Sequence, residues 1–247
     1  QLVSGPNATE YQLKLPEGMT VAQTAAQVES QLGISADEFI EQAKASNYVD
    51  DYPFLSGVSE EYDSLEGYLF AKTYDLGGTD MSADAVIRIM LNQYQSEVAS
   101  LDFESARTAI QNNYNISISD YGIIKLASII EREARSADDF PKVSAVFHNR
   151  LERGMKLESC ATLSYITGVH RYAFTSDEQA IVSPFNTYLN EGLPIGPISN
   201  PGEAAIRAAK DQRPYTNQED IKAAFIKVGI GTEKKSRLIS DKEKLIT

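Results

Sequence analysis

The segment SPFNTYLNEGLPIGPISNPG, residues 183–202, limits what this chain can fold into more than any other stretch. It holds four prolines and three glycines among asparagine, serine and threonine side chains. Proline removes a backbone donor and glycine loosens the backbone, so no regular helix or strand runs through the whole segment. It is also too rich in hydrogen-bonding side chains to be an idle linker. We therefore predict a long loop held on a helical scaffold, where binding residues concentrate.

Helices are predicted on both sides of this loop. Apolar residues recur at helical spacing over residues 83–101, 120–137 and 141–154. After the loop, GEAAIRAAKD returns to a helix, and residues 221–231 fit either a helix or a strand. The chain therefore has a mainly helical centre that is interrupted by one irregular segment.

Residues 1–55 have the pattern of a small separate module. A short alternating strand at residues 11–15 comes first. A helix follows, with Thr20 as its N-cap and Gly33 as its stop, and Ser35 caps a second helix. The proline, glycine and serine residues that come next indicate the module's boundary near residue 55.

Composition and charge exclude several classes of protein. The 247 residues fit one large domain or two unequal ones, with a composition typical of globular proteins. The net charge of −12 argues against nucleic acid or an anionic membrane surface as the main partner. Cys160 is the single cysteine, which excludes an intramolecular disulfide and a thiolate metal cluster. His148 and His170, the only histidines, are expected on a helix surface and in a loop, so we predict no metal and no cofactor.

Two glutamates lie at the edges of the apolar stripe of the predicted helix 120–137. Glu131 falls about 80° to one side of the stripe's centre and Glu133 about 80° to the other. Arg135 follows Glu131 by four residues, the favourable spacing for a helix ion pair, so a surface salt bridge is predicted there. The stripe itself is formed by Ile123, Leu126, Ala127, Ile130 and Ala134.

Glu133 differs from Glu131 because isoleucines precede it and no cation lies at helical spacing from it. Partial desolvation raises the pKa of a carboxyl group, which suits a general acid near neutral pH. A solvated glutamate at the edge of the buried face fits the same residues equally well. The residues alone leave both interpretations open.

Several stretches together resemble the YceG-like family, and they occur in the family's order. The central ones are ASIIEREA, VSAVFHNRLERGMKLES, ATLSYITG, SPFNTYLNEGLPIGPISNPG and AIRAA. LEGYLFAKTYDL resembles the family's aromatic stretch, and LKLPEGMTVAQTAAQVESQLG is similar to its LysM-like module. The resemblance implies an α+β fold, with a small LysM-like module at residues 1–55. A mixed helical and β catalytic domain follows at residues 56–247 and carries the long loop as its substrate loop.

The resemblance also implies an activity. Family members cleave the β-1,4 bond between N-acetylmuramic acid and N-acetylglucosamine inside peptidoglycan strands and leave a 1,6-anhydromuramic acid end. Their catalytic glutamate is the second of a Glu-x-Glu motif, which falls on Glu133 and acts first as acid and then as base. A hydrolytic muramidase, with Asp138 or Asp139 as a second carboxylate, and a non-catalytic peptidoglycan-binding scaffold are the alternatives. The family further implies a single membrane helix ahead of this segment, a catalytic domain outside the cytoplasm, and cell-wall synthases as partners.

The family motifs also supply candidates for binding the sugar. Of these, Asn186, Tyr188 and Thr162 are expected to line the cleft, while Asn149 and Asn200 are expected to fix loops. The full set of substrate-binding candidates is Asn149, Thr162, Tyr165, Asn186, Tyr188 and Asn200.

This sequence departs from the family pattern at two places. Many members have Asp-Pro where this chain has Cys160 and Ala161, so the role of that aspartate is missing here. The family's Tyr-Phe-Val strand and Gly-His-x-Phe segment have no counterpart after Tyr215. We therefore expect the C-terminal edge of the cleft to be rebuilt in this protein or to contribute nothing.

Overall fold

The computed structural model forms two compact units. The first unit comprises the described residues up to Asp102 together with Ser199–Glu203, and the second comprises the described residues of Phe103–Ile198 and of 204–211. The described residues are 12–77, 81–98, 100–134, 136–171 and 173–211, with only the backbone of Ala137. The first compact unit extends beyond residue 55, so its limits do not test the module boundary predicted there. That boundary stays a prediction.

A small antiparallel sheet opens the first unit. Strand β1 (Gln12–Lys14) pairs with β2 (Thr73–Asp75), and Leu13 lies opposite Tyr74. Both of these central residues are buried, while their neighbours along each strand are exposed. The alternation predicted for the first strand is therefore confirmed over residues 12–15, since Leu15 is buried as well.

Within its described residues, the first unit also contains the α-helices α1 (Val21–Leu32), α2 (Ala36–Gln42) and α3 (Ala83–Val98). Short 3₁₀ helices lie between α2 and α3, at Ala45–Asn47, Pro53–Leu55 and Glu60–Tyr62. Thr20 forms a capping box with the third residue of the helix, and Gly33 ends α1 with a left-handed backbone at φ 75°. Both predicted ends of this helix are confirmed.

Asn200 belongs to the first unit and ties separate parts of it together. Its Oδ1 accepts the N–H groups of Gly67 and Leu69 at 2.9 and 3.0 Å. Its Nδ2 donates to the carbonyl oxygen of Met19 at 3.0 Å and to the buried carboxylate of Glu66 at 3.2 Å. The side chain is buried with its amide fully engaged, the loop-fixing arrangement expected for this residue.

The second unit is helical within its described residues, and its centre is α5. Helix α5 packs against α6 and α7, and α4 packs against α6. The buried stripe predicted for α5 is confirmed for Ile123, Leu126, Ala127 and Ile130. The helices are α4 (Phe103–Tyr114), α5 (Asp120–Glu133), α6 (Phe140–Glu152), α7 (Cys160–Thr167), α8 (Ser176–Gln179) and α9 (Glu203–Lys210).

Two features of the fold differ from the sequence prediction, and one predicted segment lies outside the described residues. The helix expected to reach residue 137 ends at Glu133, because Ala134 takes an extended backbone with ψ 146°. Helices α4, α7 and α8 were not predicted. Residues 221–231 lie outside the described residues. The mixture of helices with one small sheet confirms the α+β class, and no described helix has the length and apolar character needed to cross a bilayer.

Candidate active site

Glu133 is the last residue of α5, and its carboxylate faces the first turn of α7. Its Oε1 accepts hydrogen bonds from the hydroxyl of Ser159 at 2.5 Å and from the backbone N–H of Ala161 at 3.0 Å. The backbone N–H of Cys160 adds a further interaction. Helix N-termini hold N–H groups without helical partners, and the helix dipole favours negative charge there. The carboxylate of Glu133 therefore takes the place of a side-chain cap on α7.

Two opposing effects set the protonation of Glu133. Burial raises the pKa of its carboxyl group, because the charged form loses solvation. The bonds from Ser159, Ala161 and Cys160, together with the charge of Arg132, lower that pKa and offset part of the rise. The net direction is upward, so this group retains its proton at a higher pH than an ordinary glutamate. That is the property a general acid needs.

Glu131 lies one half-turn earlier on α5 and, like Glu133, is partly exposed. Its predicted partner, Arg135, lies outside the described residues, so the ion pair stays a prediction. The hydrogen bonds from the first turn of α7 described above go to Glu133.

Thr187, in the long loop, connects that loop to the start of α7. Its hydroxyl accepts the N–H of Ser159 at 3.0 Å, and its carbonyl oxygen accepts the N–H of Glu158 at 3.0 Å. Thr162 is fully buried, lies 2.9 Å from the hydroxyl of Thr187, and donates to the carbonyl oxygen of Ser159 at 2.8 Å. Thr162 thus holds the segment that bonds to Glu133.

Asn186 fixes the path of the loop from inside. It is fully buried, and its Nδ2 donates to the carbonyl oxygens of Gln179 and Ile181 at 3.0 and 2.7 Å. Its Oδ1 accepts the N–H of Tyr188 at 2.9 Å. All of these partners lie within nine residues of one another, so the amide acts on the shape of the loop and on the direction of Tyr188.

Tyr188 lies beside Cys160, the first residue of α7. The tyrosine oxygen and the cysteine sulfur are 3.1 Å apart. Burial raises the pKa of both groups, and the charge of Glu133 raises both further. Both side chains therefore stay neutral near pH 7. Tyr188 is partly exposed, as is Tyr165, whose ring lies 4.9 Å from that of Phe185.

Comparison with known proteins identifies the family. The model of the YceG-like family matches residues 1–216 of the chain. The chain belongs to the YceG-like family. A crystal structure of a YceG-like protein from Listeria monocytogenes superimposes with a TM-score of 0.69 at 29% identity, covering 83% of this chain and 67% of that one.

Two relatives of this YceG-like chain carry a functional name. An endolytic murein transglycosylase of Bacillus subtilis is 30% identical over 223 residues, which are 85% of this chain and 58% of the relative. An endolytic murein transglycosylase of Streptococcus pneumoniae is 27% identical over 224 residues, 83% of this chain and 39% of the relative. The chain thus spans little more than half the length of the first relative.

The candidate residues of this YceG-like chain fall into the two units unequally. Asn200 belongs to the first unit, as described above. Asn149 is partly exposed near the end of α6. Contacts with substrate stay predictions for the whole set. The candidates in the second unit are Glu133, Asn149, Thr162, Tyr165, Asn186 and Tyr188.

The two aspartates considered as a second carboxylate lie at the start of α6. Asp138 is exposed. Asp139 is buried, accepts the hydroxyl of Ser136 at 3.3 Å and lies 3.9 Å from the ammonium of Lys142. Its carboxylate therefore takes part in the turn that leads into the helix.

His148 was expected on a helix surface, and that prediction is wrong. The side chain is fully buried on α6, where its ring lies 4.9 Å from the ring of Tyr114. Sequence reasoning also missed Ser159 and Thr187. The hydroxyl of Ser159 bonds to Glu133, and Thr187 accepts the N–H of Ser159. Arg150 was missed as well. Its place on the apolar side of α6 could have been found, because it follows apolar positions of that helix at helical spacing.

Ser128 of the YceG-like chain pins the end of the loop to α5. It is fully buried, donates to the carbonyl oxygen of Lys125 at 2.7 Å and accepts the N–H of Ile198 at 3.0 Å. We expect Ser128→Ala to lower the free energy of unfolding by about 1–2 kcal/mol, because the buried N–H loses its acceptor. Urea denaturation measures this, with Ser117→Ala, at an exposed site just before α5, as the control with little effect. Equal stabilities for both variants would contradict the prediction.

Proposed function

We propose that the chain is an endolytic lytic transglycosylase that acts on peptidoglycan. It cleaves the β-1,4 bond between N-acetylmuramic acid and N-acetylglucosamine within a glycan strand and leaves a 1,6-anhydromuramic acid end. The observation that carries the proposal is the carboxyl group of Glu133, whose pKa is raised by burial while its Oε1 is held by the start of α7. The names of the relatives from Bacillus subtilis and Streptococcus pneumoniae support the same activity.

The first step is proton donation by Glu133. Oε1 accepts the bonds from Ser159 and Ala161, so Oε2 is the oxygen that carries the proton toward the substrate. Donation to the glycosidic oxygen lets the bond to the anomeric carbon break through an oxocarbenium-like state. The carboxylate that forms is stabilised by the same two hydrogen bonds and by the N-terminus of α7.

The second step uses the same group as a base. The carboxylate takes the proton of the C6 hydroxyl, whose oxygen attacks the anomeric carbon within the same sugar and closes the anhydro ring. Glu133 is protonated again, so protons balance over the cycle. One carboxyl group suffices because the nucleophile comes from the substrate, whereas water-dependent glycosidases usually need two carboxylates.

The substrate is bound along the loop. Tyr188, Tyr165 and Asn149 are partly exposed, and aromatic faces and amides suit sugar rings and hydroxyls. Thr162 and Asn186 act on the substrate by holding the loop in shape, since their polar groups bond within the protein. Asn200 contributes through the first unit, which we propose contains a LysM-like module.

We propose that this domain acts outside the cytoplasm, where peptidoglycan lies. In this proposal the full-length protein is held at the cell membrane by one N-terminal helix and works beside cell-wall synthases. The net charge of −12 fits a partner that is not nucleic acid.

The products test the proposed reaction. Purified peptidoglycan is digested with the 247-residue chain, and the soluble fragments are analysed by mass spectrometry. We expect internal cleavage with ends that are lighter by one water than reducing ends, as 1,6-anhydro sugars are. Reducing ends in their place would indicate a hydrolytic muramidase. Binding to peptidoglycan without any cleavage would indicate a scaffold protein.

A further inference from the structure

Arg150 is a charged residue in the interior of the second unit. It lies on α6, and its side chain is 1% exposed. Its Nη1 donates to the carbonyl oxygens of Lys156 and Leu157 at 2.8 and 3.0 Å and reaches the carboxylate of Glu158 at 3.4 Å. One nitrogen of a buried guanidinium therefore binds three consecutive residues, which fixes the course of the segment between α6 and α7.

The last of these residues has an unfavourable backbone conformation. Glu158 has φ 48°, in the left-handed region that residues other than glycine rarely adopt. Such a conformation persists only when its surroundings hold it. Here the backbone N–H of Glu158 donates to the carbonyl oxygen of Thr187 at 3.0 Å, and its carboxylate faces Arg150.

This backbone turn places the next residue against Glu133. Ser159 is fully buried, and its hydroxyl donates to Oε1 of Glu133 at 2.5 Å. Its N–H donates to the hydroxyl of Thr187 at 3.0 Å. A change in the direction of the chain at Glu158 would therefore move the hydroxyl that bonds to the proposed acid.

The geometry points to Arg150 as a positioning residue for Glu133, acting through Glu158 and Ser159. This inference rests on the proposed function, because it concerns how the proposed acid is held. Arg150 does not need to touch the substrate in this role. It holds residues 156–158 so that the hydroxyl of Ser159 meets Glu133 in every turnover.

A buried arginine could instead serve stability alone, and the pH dependence separates the two roles. A hydrogen bond to a carboxylate favours its charged form, so losing it raises the pKa of Glu133 further. Loss of the nearby guanidinium charge acts in the same direction, since the charges of Arg150 and Glu133 interact. A stability role alone would leave the pH profile of the folded enzyme unchanged. Among the described residues, the ionisable groups that interact with Glu133 include Arg132, Arg150, Cys160 and Tyr188.

The test compares pH profiles of kcat for Arg150→Met, Ser159→Ala and the double variant. We expect each single variant to lose about tenfold or more in kcat, because misplaced catalytic groups are costly, and to shift its basic limb toward higher pH. The double variant should have the kcat of Ser159→Ala alone, because both changes remove the same bond, while loss of the guanidinium charge shifts its basic limb slightly further. Arg153→Met, at an exposed position just after α6, is the matched control with an unchanged profile.

Arg150→Met can fail to fold because it leaves buried carbonyl groups without a donor. Glu158→Asn is the second variant, since asparagine tolerates the left-handed backbone and is too short to reach the guanidinium as glutamate does. It should fold and show the same shift in smaller degree. Additive losses in the double variant, or wild-type profiles for Glu158→Asn, would overturn the inference. Absence of anhydro products from the wild-type chain would overturn the proposed function instead, so the two failures are distinguishable.

Discussion

Replacing Glu133 by glutamine is expected to lower the rate of glycan cleavage by about a thousandfold or more. Removal of a general acid or base typically costs 10²–10⁴ in rate, and here one group performs both roles. Glutamine keeps an Oε1 that can accept the hydrogen bonds from Ser159 and Ala161. The variant therefore loses the proton and keeps the local structure. The rate of appearance of anhydro ends, followed by mass spectrometry, measures the effect.

The same variant should be more stable than the wild type near neutral pH. The pKa of Glu133 is raised in the folded chain, so protonation of this group favours the folded state. That contribution is fully present below the unfolded-state pKa and is lost as pH rises through the folded-state pKa. Glutamine does not titrate, so the Tm of Glu133→Gln minus that of the wild type should increase from pH 4 to pH 7.5.

Glu131→Gln is the matched control for both measurements. It makes the same chemical change two residues earlier on α5, about 200° around the helix from Glu133. We expect it to keep cleavage activity close to the wild type and to show no comparable gain in Tm with rising pH. If Glu131→Gln abolished cleavage and Glu133→Gln retained it, the assignment of the acid would be wrong.

The end of α5 shows what the sequence could and could not predict. The buried stripe follows from spacing alone, because a helix with one apolar face buries that face. The stop at Glu133 does not follow, because Ala134 is a residue type with high helix propensity and leaves the helix only in its tertiary context. The partners of Glu133 lie 26 and 28 residues further along the chain, so no local pattern indicates them.

The long loop gives a similar result. Its prolines and glycines predict irregular structure, but they do not predict which amides turn inward. Asn186 is fully buried and Asn190 is exposed, although both lie in the same Asn-rich segment. The difference arises from the path of the loop, which brings the carbonyl groups of Gln179 and Ile181 to Asn186. Motif resemblance selects the segment, and packing decides the role of each residue.

Helix α6 is the element on which the sequence was most misleading. His148 was expected on the helix surface, yet it is buried, and so are the polar residues Ser144 and Arg150 of the same helix. The reason is that α4 and α5 both pack against α6. The hydroxyl of Ser144 also donates to the carbonyl oxygen of Ala208 on α9 at 2.7 Å. A helix covered on several sides buries polar groups too, provided that they find partners.

His148 is a polar residue of α6 through which pH affects the stability of the chain. Burial lowers its pKa from 6.5 to about 4, against a smaller opposite effect of its bond to the backbone of Ser144. Its Nδ1 lies 2.9 Å from that carbonyl oxygen, which can only accept, so Nδ1 carries the hydrogen of the neutral ring. Protonation would add a charge at Nε2, which is buried and makes no hydrogen bond to the described residues.

Acidification should therefore destabilise the chain through His148. Between about pH 6.5 and pH 4 the unfolded state binds a proton that the folded state does not, so stability is full above pH 6.5 and falls as pH decreases toward 4. The shift in pKa corresponds to about 3 kcal/mol. His148→Phe keeps a ring against Tyr114 and cannot titrate, so its stability relative to the wild type should rise by that amount from pH 7 to pH 4 in urea denaturation. His170→Gln, at an exposed position, should follow the wild type, and parallel curves for His148→Phe and the wild type would show that the buried ring does not resist protonation.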